Sequence, residues 1–65
     1  MRNAQFSIEA AEKVRTSTNL EPDEFSIRLG FSATAYLQSL KRKKLSRWMA
    51  ERISQRFHVP LEELR

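Results

Sequence analysis

Between positions 41 and 47 the chain reads Lys41-Arg42-Lys43-Lys44-Leu45-Ser46-Arg47, five long cations in seven residues. Groups of this kind hold anions, phosphate above all, and at neutral pH they stay protonated and do no acid–base work. No competing chemistry stands elsewhere in the sequence. His58 is the sole histidine and there is no cysteine, so no set of ligands at metal-binding spacing can be assembled. The serines and acidic residues form neither a nucleophile–base arrangement nor a carboxylate pair, and 65 residues leave little room for a catalytic pocket. Neither an enzyme nor a metal or cofactor protein is expected.

The positive charge is localised. Residues 1–40 carry four basic and five acidic groups, residues 41–56 seven and one, and residues 57–65 one and two, so the formal +4 comes wholly from the middle segment. With an isoelectric point near 10.1, that is the electrostatic footprint of a phosphate-binding face. A basic amphipathic helix over 41–57, lying on a membrane surface or in a partner's groove, is another use of such a run, but it leaves Phe25, Leu29 and Phe31 without a purpose. No apolar stretch approaches the ~20 residues of a membrane span, and the N-terminus lacks the pattern of a secretory signal. A cytoplasmic protein with no membrane partner is therefore expected. Without cysteine there is no disulfide framework, and 40% hydrophobic with 9% aromatic residues suffices for one domain over 1–65 with a single small core.

Elements that would carry the cations can be placed from local signals. Ser7 suits the N-cap of a first helix running to about Thr18, with Ile8, Ala11 and Val14 inward, and Asn19 tolerates the left-handed conformation that stops it. Pro22 fits the first position of a second helix ending at Leu29, where Asp23 and Glu24 meet the positive end of the helix dipole. Gly30, the only glycine, supplies the positive φ of a sharp turn. Phe31 is expected to plug the core beneath it, and Ser32 to cap a third helix over roughly 33–41, with Tyr36 and Leu40 on one face. A fourth helix follows Ser46 and runs to about Phe57 on a Met49, Ile53, Phe57 stripe, with Leu45 as a hydrophobic staple. Pro60 opens a last short turn through Leu64. The expected fold is all-α, with five short helices and no strand.

Two short helices joined at a glycine, the second placed to enter a major groove, form a helix-turn-helix at about 22–41. The stretch Phe25-Ser26-Ile27-Arg28-Leu29-Gly30-Phe31-Ser32, with Tyr36 and Leu40, resembles that of the Cro and phage-repressor family, also called XRE-like. Met49, Ile53, Phe57 and the ending His58-Val59-Pro60-Leu61-Glu62-Glu63-Leu64 are similar to the family's fourth helix and terminus, and the resemblance covers about residues 8–64. It departs at Pro22, where the family often has glutamine, at Ser26 in place of alanine, and at Lys41-Arg42-Lys43 in place of a glycine. The resemblance implies a lambda-repressor-like domain whose groove-facing positions are Ser32, Ala33, Thr34, Leu37 and Gln38. Their chemistry suits the role: glutamine pairs with an adenine edge, threonine offers a hydroxyl or methyl, alanine sits against a thymine methyl. Lys41, Arg42, Lys43, Lys44 and Arg47 then contact the DNA backbone and position the protein without reading sequence.

The resulting expectation is a DNA-binding transcriptional regulator, by resemblance from a phage or mobile element. It acts as a repressor by occupying an operator in double-stranded DNA. One helix distinguishes only a few base pairs, so a homodimer on an inverted repeat is expected. Its contact is placed at Leu61 and Leu64, which share a short helical face, joined by Trp48. For Trp48, at the edge of the fourth helix's stripe, core burial and a protein–protein contact are both open. The alternative of another class is a protein-interaction module, an antitoxin-like or adaptor chain, whose binding would be insensitive to salt.

Overall fold

The computed structural model describes residues 6–65. Ser7 is extended and its hydroxyl accepts from the Ala10 N–H at 3.1 Å, opening α1 (Ile8–Ser17). Asn19 stops the chain in the left-handed region, at φ 61°. Pro22 begins α2 (Pro22–Arg28) and Leu29 caps it. The Glu24 carboxylate accepts from the Glu21 N–H at 3.1 Å, satisfying a donor that the first turn leaves free. Gly30 turns the chain at φ 89°.

The third helix, α3 (Ala35–Arg42), starts two residues later than the serine signal predicts, and Ser32 is not its cap. The cap comes from another helix. The buried Ser26 hydroxyl of α2 donates to the Ser32 carbonyl and accepts from the Tyr36 N–H, the latter at 3.2 Å. Ser32 receives the Ala35 N–H at 3.1 Å through its own carbonyl, so residues 33 and 34 remain a turn. Lys43 closes α3 at φ 57°, a left-handed position where glycine is usual, and the Lys44 N–H reaches the Ser39 carbonyl at 3.2 Å. Ser46 then caps α4 (Arg47–Phe57) by accepting the Met49 N–H at 3.1 Å. His58 ends α4 at φ 57°, which gives the lone histidine a backbone duty.

The architecture is all-helical, but the fifth expected helix is a single 3-10 turn, Leu61–Leu64. Its bonds span three residues, from the Glu63 N–H to the Pro60 carbonyl at 2.9 Å and from the Arg65 N–H to the Glu62 carbonyl at 3.3 Å. The turn is nonetheless structural: the Ser7 N–H donates to the Leu64 carbonyl at 2.6 Å, and Leu64 is fully buried. Phe6 and Leu45 form an isolated antiparallel bridge beside it, so the start of the described chain, the α3–α4 loop and the C-terminus are knit together.

Ile8, Ala11, Phe25, Leu29, Tyr36, Leu45, Met49, Ala50, Ile53 and Leu64 make the core. Phe25 is its hub, edge-on to Tyr36 at 4.8 Å and stacked with Phe57 at 5.1 Å between ring centroids. Phe31 does not plug the core; it lies half-buried against it, as do Val14 and Phe57. Trp48 departs further from burial, being 78% exposed. At 100° per residue, the stripe Met49, Ala50, Ile53 and Phe57 fixes the buried face of α4, and Trp48 falls nearly opposite it.

A polar cluster ties α1 to α3. Glu12 accepts from Tyr36 Oη at 2.7 Å and from Arg15 through a paired contact at 2.7 and 2.8 Å, while Arg15 also donates to the Leu20 carbonyl at 2.8 Å. Hydrogen bonding from Arg15, then from Tyr36, holds the Glu12 carboxyl below its usual range against the opposing effect of burial. Burial, with Glu12 beside it, pushes the Tyr36 hydroxyl well above its usual value. No helix among the described residues is long and apolar enough to cross a membrane.

Candidate nucleic-acid interface

Tyr36 and Leu40 turn α3 toward the core, and the opposite side is open. Thr34, Leu37, Gln38 and Lys41 follow one another at three- and four-residue spacing and are all exposed, Leu37 by 38%. Ser32 and Ala33 lie exposed in the turn just before them. All five expected base-reading residues therefore share one accessible region, although Ser32 and Ala33 precede the helix and Thr34 stands at its cap. On such a ridge Gln38 presents both an amide donor and an acceptor, the pair an adenine edge demands.

The expected backbone-contacting cations continue from this ridge without a break. Lys41 and Arg42 occupy the last turn of α3, Lys43 its cap, Lys44 the loop and Arg47 the first position of α4, all exposed. The ion pairs among the described residues are Arg15 with Glu12 and Arg47 with Glu51, the latter at 2.9 Å. Lys41, Arg42, Lys43 and Lys44 thus have no carboxylate in an ion pair with them among the described residues. A groove of about 640 Å³ opens between the end of α3 and the start of α4, with Arg42, Lys43, Lys44 and Arg47 on its walls and Phe6, Leu45 and Leu61 among its apolar surfaces. Arg65 also lines it, its guanidinium 5.9 Å from the Phe6 ring centroid. Among the described residues no acidic side chain lines this groove, so its potential favours an anion.

Two residues fasten α3 and the turn before it: Ser26, noted in the sequence only as standing in place of the family's alanine, and Arg52, which sequence reasoning missed. Ser26 bonds both Ser32 and Tyr36, joining α2 to the first turn of α3. Arg52 reaches from α4 to the turn itself, donating to the Leu29 carbonyl at 2.9 Å with its guanidinium 5.5 Å from the Phe31 ring centroid. A Cβ on Gly30 would lie 2.7 Å from the Arg52 Nη1, so glycine here allows both the backbone conformation and the close approach of the arginine. In the sequence Arg52 is one more cation of a basic segment, and only the fold distinguishes it. Arg65, at the chain's end, carried no local signal either.

The expected dimer contact divides. Leu64 belongs to the chain's own core and is not available to a second copy, because the 3-10 turn packs against α1 and α4. Leu61 is half-buried and packed on that core, which leaves Trp48 as the one exposed member of the three. Among the described residues no three histidine, cysteine or acidic side chains gather where they could hold a metal ion. Compared with protein-family models, curated proteins and solved structures, the chain matches none.

Proposed function

We propose that the chain is a sequence-specific DNA-binding regulator of the helix-turn-helix type, a lambda-repressor-like domain that represses by occupying its operator. One observation carries this: the exposed Thr34, Leu37 and Gln38 ridge of α3 runs directly into five exposed cations, so base-reading and phosphate-holding groups form one surface. Ser26 and Arg52 hold that ridge at a fixed angle to α2 and α4, and such pre-organisation is what discrimination between base pairs requires. Lysines and arginines along its edge supply affinity for any duplex, and the ridge supplies preference.

A single short helix reads too few base pairs to find one site in a genome, so two copies on an inverted repeat complete the site. Leu64 takes no part in joining them. The deciding experiment is selection from a random duplex pool, followed by titration of the selected and a scrambled duplex over a range of salt concentrations. A recovered consensus with two-fold symmetry, bound far more tightly than the scrambled duplex and more weakly as salt rises, is the expected result. Failure to enrich any sequence, with binding indifferent to salt, would remove the proposal and favour a protein-interaction module.

A further inference from the structure

Trp48 is the chain's only tryptophan and, among the described residues, the most exposed large apolar side chain, at 78% against 60% for Ile27 and 38% for Leu37. An indole left in water carries a hydration cost that a binding partner would remove. Its surroundings identify the partner's charge. Arg47 precedes it, Lys44 stands four residues before it and Arg52 four after it, while the one acidic neighbour, Glu51, is engaged by Arg47 at 2.9 Å. Two copies meeting through this same face would oppose like charges, whereas a polyanion with apolar faces complements it.

Its position points the same way. Arg47, the residue before Trp48, is part of the cationic run that continues from the recognition ridge. Arg52, one turn further along the same flank of α4, touches the α2–α3 turn at Leu29 and Phe31. The flank that bears Trp48 therefore adjoins the helix-turn-helix rather than the far side of the molecule.

We propose that Trp48 is a DNA-contact residue whose indole packs against the sugar edge of the strand held by Lys44 and Arg47, extending the interface from α3 onto α4. This rests on the DNA-binding function proposed above. Because every nucleotide presents a sugar, the contact adds affinity without adding sequence preference.

The test uses the intact chain and its single indole. The native protein is titrated with a fluorescently labelled duplex carrying one copy of the selected half-site, and with a scrambled duplex of equal length. DNA anisotropy reports binding, while tryptophan emission and its quenching by acrylamide report the indole. Both duplexes should shift the emission to shorter wavelength and shield it, and raising the free protein's concentration without DNA should do neither. Trp48→Ala should lose roughly tenfold in affinity on both duplexes, the scale of one aromatic contact to a nucleotide, and Trp48→Phe should recover most of it. If the anisotropy rises while the indole stays fully open to acrylamide, or if Trp48→Ala binds as tightly as the native chain, the proposal is overturned although DNA binding stands. Shielding that follows protein concentration alone overturns it in favour of a second copy. A flat anisotropy for the native protein removes DNA binding itself, and this contact with it.

Discussion

Replacing Gly30 by alanine tests whether Arg52 truly fastens the turn ahead of α3. At φ 89° a side chain is strained, which costs roughly 1–2 kcal/mol. The new Cβ would also stand 2.7 Å from the Arg52 Nη1. A guanidinium tip moves aside easily, but in moving it gives up its 2.9 Å bond to the Leu29 carbonyl. That loss is on the order of 1 kcal/mol, because the site is half-open and water can replace part of the bond. Gly30→Ala should therefore destabilise by about 2–3 kcal/mol, and Arg52→Met by about 1–2 kcal/mol through the same bond and the contact with Phe31. Because both changes remove one bond, the double variant should fall short of the sum by about 1 kcal/mol. Thermal denaturation of the four proteins followed by circular dichroism resolves this, since 1 kcal/mol moves the midpoint of a domain this size by roughly 4–8 °C. Additivity within about 0.3 kcal/mol would refute the linkage.

Gln38→Ala should cost about 1–3 kcal/mol on the selected site and almost nothing on scrambled duplex, whereas Lys43→Ala and Lys44→Ala should weaken both alike and each lower the salt slope by about 1; equal losses on both duplexes for Gln38→Ala would move it to the backbone contacts. Leu64→Ala should destabilise the folded chain by about 2–5 kcal/mol by opening a cavity in the core, and a native melting midpoint with a changed sedimentation coefficient would instead restore Leu64 to a dimer contact. For pH, Glu12 titrates lower in the folded chain than in the unfolded one, so its contribution is present above the ordinary carboxylate range and is lost as pH falls through the lowered folded value. Tyr36 is shifted upward from 10.0, so its contribution is complete below that value and declines as pH rises past it. Tyr36→Phe should flatten the alkaline decline in urea midpoints, and an unchanged alkaline limb would show that the Tyr36–Glu12 bond does not set it.

What could be read directly from the sequence depended on a few neighbouring residues. Ser7 and Ser46 cap their helices because a hydroxyl there meets an amide three positions on. Pro22, Asn19 and Gly30 act through their own backbone preferences, and the positions of α1, α2 and α4 follow from them. The exposed ridge and the cationic run were legible too, since a 3.6-residue period with Tyr36 and Leu40 inward leaves Thr34, Leu37, Gln38 and Lys41 outward wherever the helix lies.

Where the tertiary structure decided, the determining partner was distant along the chain. Ser32 has the residue type of a cap, but the Ala35 N–H three positions on goes to its carbonyl and residues 33 and 34 stay a turn, so α3 begins later, with the Tyr36 N–H on Ser26. Leu64 looked free to meet another chain because a short terminal turn has little partner surface of its own, yet the Ser7 N–H before α1 donates to its carbonyl and its side chain is fully buried in the core. Trp48 stands nearly opposite the Met49, Ile53 and Phe57 stripe at 100° per residue, so its exposure follows from the period of α4, whereas the contact made by Arg52 on the same flank does not. Arg52 is held by a carbonyl 23 positions earlier in the chain, and Glu12 is tied to a hydroxyl 24 positions later. A capping rule spans one helical turn, but burial and long-range hydrogen bonding depend on which surfaces the whole chain brings together. For this protein the sequence by itself determined where α1, α2 and α4 lie and which face of α3 is exposed, while long-range packing and hydrogen bonds decided where α3 begins, what form the last turn takes and how α3 is held.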